Sequence, residues 1–182
     1  KTNYTGNNFG GEFRQMEKKV RKVARDTKFT GSQAADATRY MAMSGLSMPM
    51  IKASISPVAD LALIGDNDLG EVADKMTNIQ QSFGIKPKQM RHVADALTKT
   101  FTSTNTDLMM LAESMKYASG ISRLANWKKG GAGALDESLA MIGVMGNNGI
   151  QASMAGTSLR MMYQNILSPN KTQKKLWKAL GI

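Results

Sequence analysis

Side chains that could carry out chemistry are few in this sequence, and they do not stand at the spacings that enzymes or metal sites use. Cysteine is absent and His92 is the single histidine, so the usual zinc sites, which need several Cys and His ligands, cannot be built. The sequence also lacks the motifs of zinc proteases, serine hydrolases and serine–lysine acyl-transfer enzymes. We therefore predict a protein that is not an enzyme, with no catalytic, metal-binding or cofactor-binding residues, and a structural role for His92.

The remaining chemical candidates are two carboxylate pairs and a glycine-rich run. Asp136-Glu137 and the pair Asp66/Asp68 stand at predicted helix starts, where acidic side chains interact favourably with the helix dipole. We interpret both pairs as helix caps. The run from Gly130 to Gly133 lacks the Lys-Ser/Thr that completes a phosphate-binding loop, so it is predicted to be a linker.

The net charge of +10 is concentrated at the two ends of the chain. Residues 1–28 hold eight basic and three acidic side chains, residues 29–127 hold nine of each, and residues 128–182 hold seven and two. The first end carries a predicted basic helix face made of Arg14, Lys18, Lys19, Arg21, Lys22 and Arg25. Such a face is either solvated or meets an acidic surface. Nucleic-acid binding is an alternative, although no aromatic residues interleave with the basic ones.

The longest uncharged run, residues 138–159, is long enough to cross a bilayer. Asn147, Asn148, Gly149 and Gln151 interrupt it, and burying these polar groups in lipid would be costly. The interruption predicts a turn between two helices. A membrane-active channel segment used in DNA delivery stays as an alternative interpretation of the run.

Hydrophobic periodicity predicts an all-α fold, a compact array of eight or nine short helices joined by Gly- and Pro-rich turns. Residues 1–28 are predicted to form a basic amphipathic helix that could end an upstream coiled coil, because apolar residues recur in it at alternating three- and four-residue spacing. Residues 29–182 form the core region, in which the loop 128–134 separates two helical halves. Ser56-Pro57 is predicted to open a short helix that ends near Gly65, and Asp68 to cap the next.

The stretch from Gly149 to Pro169 carries one charged side chain and many small residues. Ala155 and Leu159 share a helix face, with Gly156 beside them. Small residues on such a face let a second helix backbone approach closely. We predict a helix-packing seam at Gly149, Ile150, Ser153, Ala155, Gly156, Thr157, Leu159 and Arg160.

These same seam residues form a run, G-I-x-x-S-x-A-G-T-x-L-R, that resembles the core region of phage tail tape measure proteins of the TP901 family. The likeness continues on both sides of the run, in Ala34-Ala35-Asp36-Ala37, Met41-Ala42-Met43-Ser44-Gly45, Val72-Ala73-Asp74, Phe83-Gly84, Val93-Ala94-Asp95-Ala96-Leu97, Leu167-Ser168-Pro169 and Leu180-Gly181-Ile182. It covers residues 29–182. One departure is that Ala134-Leu135 stands before Asp136-Glu137 where the family usually has Gly-Ser.

The resemblance implies a structural protein of the virion tail that acts in tail assembly, length determination, tail-tip docking and DNA ejection. It implies contacts with the tail tube protein, tail-tip or baseplate proteins and tail assembly chaperones, and self-association of the full-length protein. Transient membrane contact is a further expectation, whereas no specific nucleic acid and no cofactor are expected. The implied location is the virion tail, and the cytoplasm of the bacterial host during assembly.

Overall fold

The computed structural model describes residues 9–181, and within that range all regular structure is helical. Two single 3₁₀ turns, Pro87–Gln89 and Trp127–Lys129, accompany the α-helices. The nine α-helices of the described residues are α1 Phe9–Asp26, α2 Gly31–Met43, α3 Met48–Ile64, α4 Leu69–Phe83, α5 Met90–Ser103, α6 Leu108–Ala125, α7 Gly130–Asn147, α8 Ala152–Leu167 and α9 Lys171–Leu180. The all-α prediction is confirmed.

The chain divides into two compact units, Lys1–Thr98 and Lys99–Ile182. In the first, α2, α3 and α4 pack on one another and α1 packs on α2 and α3. In the second, α6, α7 and α8 pack on one another. The division therefore falls within α5, and the predicted division at the loop 128–134 is wrong because α6 and α7 share one core.

The glycine-rich run is helical and is not a linker. α7 begins at Gly130, directly after the 3₁₀ turn, because Ala132, Ala134 and Leu135 are buried and draw the segment into the core. Gly133 suits the tight join, since a Cβ there would lie 2.8 Å from Lys129 Cβ. Asp136 and Glu137 consequently lie almost two turns inside α7 and do not start it, so their interpretation as caps is also wrong.

Pro57 does not open a helix, as predicted, but lies inside α3 and is buried. The proline that stands in the first turn of α3 is Pro49. A proline in a helix interior costs about 3 kcal/mol, because it lacks an N–H and crowds the preceding turn. The burial of α3 side chains on both sides of Pro57, including Ile55, Val58 and Leu61, offsets this cost.

Asp68 caps α4 as predicted, because its Oδ1 accepts a hydrogen bond of 3.0 Å from Glu71 N. Asp66 does not cap a helix. It has a positive φ of 50°, and its carboxylate accepts a hydrogen bond from Lys28 Nζ, which joins the end of α1 to the turn after α3. This hydrogen bond and the charge of Lys28 lower the pKa of Asp66 below its ordinary value of 3.8.

We expect the Lys28–Asp66 pair to add stability that is present at neutral pH and is lost on acidification. The folded state holds the Asp66 proton less tightly than the unfolded chain, so the contribution disappears as pH falls from the ordinary pKa through the lowered one. An NMR pH titration of Asp66 should give a pKa below 3.8, and Lys28→Gln should raise it again. An equal pKa in both proteins would contradict the pairing.

Candidate functional site

Within residues 9–181, no group of three or more His, Cys, Asp or Glu side chains could hold a metal ion. His92 lies exposed on α5. The unusual geometry of this protein lies instead in the way that backbones approach one another in the unit of residues 99–182.

A close backbone approach joins α6 to α8, at an interface that we call the α6–α8 seam. A Cβ added at Gly156 would lie 2.3 Å from the Ser114 carbonyl oxygen and 2.9 Å from Ser114 Cα. The Ser114 hydroxyl lies 2.7 Å from the Ala152 carbonyl oxygen and 2.9 Å from that of Met110, so it links the two helices. Since the obstruction is backbone, side-chain rotation cannot make room for a larger residue at Gly156.

Polar side chains close the other end of the α6–α8 seam. Asn126 Nδ2 donates to Tyr163 Oη at 3.0 Å and to the Ser122 carbonyl at 3.2 Å. The Tyr163 hydroxyl in turn lies 3.6 Å from Met141 Sδ on α7. Tyr163 therefore fixes the position of α8 against both neighbouring helices. The sequence analysis did not identify Tyr163 as part of the seam, although Tyr163 stands seven residues after Gly156 and hence on the same helix face.

The structure places only part of the predicted seam in this interface. Ala155, Gly156 and Leu159 are buried, and Ile150 is half-buried. Gly149 is exposed in the turn before α8, and the side chains of Ser153, Thr157 and Arg160 are exposed as well. The seam prediction is wrong for these exposed residues, because Ser153, Thr157 and Arg160 follow the i, i+4, i+7 spacing of the opposite helix face.

A second close approach holds the loop between α5 and α6, and we call it the Asn105 clamp. Asn105 N donates to Asn147 Oδ1 at 2.7 Å, and the Asn105 carbonyl accepts from Gln151 Nε2. A Cβ at Gly146 would lie 2.3 Å from Thr106 Cγ2. The end of α7 and the start of α8 thus hold both backbone hydrogen-bonding groups of one loop residue. No short sequence motif indicates this clamp, because its partners are more than forty residues apart in the chain.

Asn147→Ala is expected to destabilise the chain by about 1 kcal/mol, because it removes the acceptor of the Asn105 N–H. Asn147→Asp keeps an acceptor oxygen at the same place and is expected to retain most of the stability. Urea denaturation followed by circular dichroism measures both. Equal stability of the Ala variant and the unsubstituted chain would show that the clamp is energetically neutral.

The predicted basic face lies on α1 as expected, with Lys19 half-buried and the other five side chains exposed. Several of its charges are matched within the helix. Arg21 pairs with Glu17 at 2.7 Å and Arg25 with Asp26 at 3.0 Å, and Arg14 Nε donates to the Gly10 carbonyl. The opposite side of α1 is covered, since Met16 and Val23 are buried.

The uncharged run 138–159 is divided between two helices, as predicted. Gly149 adopts a positive φ of 79° in the turn that separates α7 from α8. In the part of the chain that the structure describes, none of the helices combines the length and the apolar character that crossing a membrane requires.

Comparison with known proteins gives one consistent result. Residues 17–182 match the family model described as phage-related minor tail protein. The chain is 29% identical over 171 residues to the "Tape measure protein" of Pneumococcus phage Dp-1, a match that covers 94% of this chain and 14% of that protein. It is 24% identical over 171 residues to the "Probable tape measure protein" of Escherichia phage P2, covering 94% of this chain and 20% of that protein. No solved structure matches.

The chain thus spans between a seventh and a fifth of the length of these relatives. The matches confirm the resemblance to phage tail tape measure proteins that the run from Gly149 to Arg160 indicates. The finer placement in the TP901 family stays a prediction.

Proposed function

Because the chain belongs to the phage-related minor tail protein family, we propose that it is a structural segment of a tail tape measure protein. The observation that carries this proposal is the match over residues 17–182, together with two relatives that are named tape measure proteins and that align with 94% of the chain. The segment acts in tail assembly and length determination through the full-length protein, and in tail-tip docking or DNA ejection. It has no catalytic role.

Within the full-length protein this segment docks and does not measure. A helical ruler converts residues into distance at a constant rise of about 1.5 Å per residue along one direction. In the unit of residues 99–182, α6, α7 and α8 pack against one another, so added residues would not lengthen it in proportion. In the unit of residues 1–98 the same holds for α2, α3 and α4.

The partners of this docking segment are the tail tube protein, tail-tip or baseplate proteins and tail assembly chaperones, with self-association of the full-length protein. Its place is the virion tail, and the host cytoplasm while tails are assembled. Large apolar side chains that stay exposed on the unit of residues 99–182 support protein contacts of this kind. They include Leu124, Val144, Met154 and Met161.

The test compares two changes in the intact phage. An in-frame deletion of residues 134–167 removes part of α7 and all of α8, and Gly156→Leu disrupts the α6–α8 seam without changing the number of residues. If the segment docks, both phages should fail to initiate or to finish tails, as seen by electron microscopy. The level of the parent protein is followed by immunoblot.

A ruler gives the opposite pattern. The deletion would then produce normal tails shortened by about 50 Å, at the helical rise per residue, and Gly156→Leu would leave tail length unchanged. That result would contradict the docking proposal, because tail length would then depend on the number of residues in the segment and not on its fold.

A further inference from the structure

The last helix of the described residues, α9, is well capped, but most of its side chains are exposed. Asn170 and Gln173 form a capping box at its start, and Gly181 ends it with a positive φ of 76°. Even so, none of its side chains is buried. A helix of ten residues whose apolar face is mostly exposed is marginal in water, so a surface that covers this face would stabilise α9.

Its side chains are sorted into two opposite faces. At about 100° per residue, the four lysines Lys171, Lys174, Lys175 and Lys178 fall on one side, and α9 contains no acidic residue. Leu176, Leu180 and Trp177 fall on the other side. Leu176 is 58% exposed and Leu180 is 63% exposed, whereas Trp177 is half-buried.

The comparison with α1 shows what is unusual about α9. Both helices are basic and amphipathic, but the apolar face of α1 is already used, since Met16 and Val23 are buried. The acidic residues Glu17 and Asp26 also neutralise part of its charge. In α9 the apolar face is open, and no ion pair within residues 9–181 involves its lysines.

We propose that α9 is a lipid-binding helix that lies in the plane of an anionic membrane surface. Leu176, Trp177 and Leu180 enter the boundary between headgroups and acyl chains, while the lysines stay at the level of the negative headgroups. The positive charge of α9 favours an anionic membrane over a protein as the surface that covers it. An apolar groove on a protein would cover the leucines but would not require four lysines without a single acid, whereas an anionic bilayer uses both faces at once.

The residues just before α9 are consistent with binding at a membrane surface. Ile166 and Leu167 end α8 and are both substantially exposed, so apolar side chains are available on either side of the short link to α9. With ten residues α9 is about 15 Å long, half the thickness of a hydrocarbon core. It therefore lies on the surface and does not span it. The inference does not rest on the proposed tail function.

The experiment measures co-sedimentation of the 182-residue chain with vesicles. Phosphatidylcholine vesicles are compared with vesicles that also contain phosphatidylglycerol, each at low and at high salt. We expect binding to the anionic vesicles that weakens at high salt, and little binding to the zwitterionic ones. Binding that is absent from anionic vesicles at low salt, or equal on both kinds of vesicle, would overturn the proposal.

Paired variants assign the binding to α9. Lys174→Gln with Lys175→Gln should weaken it about twenty-five-fold, since each lysine near an anionic surface contributes about fivefold. Leu176→Glu should weaken it by about tenfold or more. The matched controls are Lys18→Gln with Lys22→Gln on α1, and Leu124→Glu on α6, whose leucine is 60% exposed. These controls should bind as the unsubstituted chain does.

Because Lys174, Lys175 and Leu176 are exposed, their variants should keep the melting temperature of the unsubstituted chain, so a loss of binding is not a loss of fold. Equal weakening by the α1 pair would contradict the assignment to α9. Sedimentation equilibrium of the same proteins tests the other occupant: a dimer that Leu176→Glu abolishes, without an effect on vesicle binding, would assign the apolar face to a second copy.

Discussion

Gly156→Leu is expected to lower the free energy of unfolding by about 3 kcal/mol or more, the upper part of the range for overpacked cores. The Cβ alone would lie 2.3 Å from the Ser114 carbonyl oxygen, and the remaining atoms of leucine would have to enter the same space. Relief requires α6 and α8 to separate, which would also break the hydrogen bond from Ser114 to the Ala152 carbonyl. Thermal and urea denaturation of the 182-residue chain, followed by circular dichroism, measure the loss.

Two alanine variants separate this steric effect from helix propensity. Replacing a helical glycine with alanine normally stabilises a helix by roughly 1 kcal/mol. Gly120→Ala on α6 should show that gain, because a Cβ there meets nothing within 4 Å. Gly156→Ala should instead destabilise the chain by about 1–2 kcal/mol. If both alanine variants were stabilising, the α6–α8 seam would be looser than the structure indicates.

Phe83→Ala is expected to cost about 3–5 kcal/mol, the usual range for deleting a buried phenylalanine side chain. Phe83 ends α4 in the unit of residues 1–98 and is fully buried. α4 packs on both α2 and α3, and deletion of the ring would leave a cavity at the buried end of α4. For a unit of this size the melting temperature should fall by more than about 10 °C.

Phe13→Ala on α1 is the matched control, since it removes the same atoms from a side chain that is 60% exposed. It should change stability by less than about 0.5 kcal/mol. Phe83→Leu should fall between the two, because leucine fills part of the cavity. Similar losses for Phe13→Ala and Phe83→Ala would mean that burial of the ring does not determine the stability of this unit.

The start and the end of α4 and the turn between α7 and α8 were determined by local sequence. Asp68 caps α4 through Glu71 N, and Gly84 ends the same helix with a positive φ of 65°. Gly149 makes the turn between α7 and α8 in the same way. These features depend on backbone preferences and hydrogen bonds within a few residues, which is why capping patterns and glycine positions predict them.

Where the sequence prediction was wrong, packing had outweighed local preference. Pro57 and the run from Gly130 to Gly133 are helix-breaking residues by themselves. Even so, Pro57 lies inside α3 and the run forms the first turn of α7, and neighbouring side chains are buried in both places. The free energy of that burial exceeds the local cost. No local pattern contains this term, because the partner residues come from other helices.

In the candidate site, too, some features were determined by the sequence and others only by the tertiary structure. The sequence by itself determined that α8 has a small-residue face with Gly156 on it, and that no catalytic motif accompanies it. Only the tertiary structure decided that Ser114 lies opposite Gly156, that Tyr163 closes the seam, and that Asn147 holds the loop at Asn105. Helical periodicity states which residues share a face, whereas the identity of the opposing backbone depends on contacts between residues about forty positions apart.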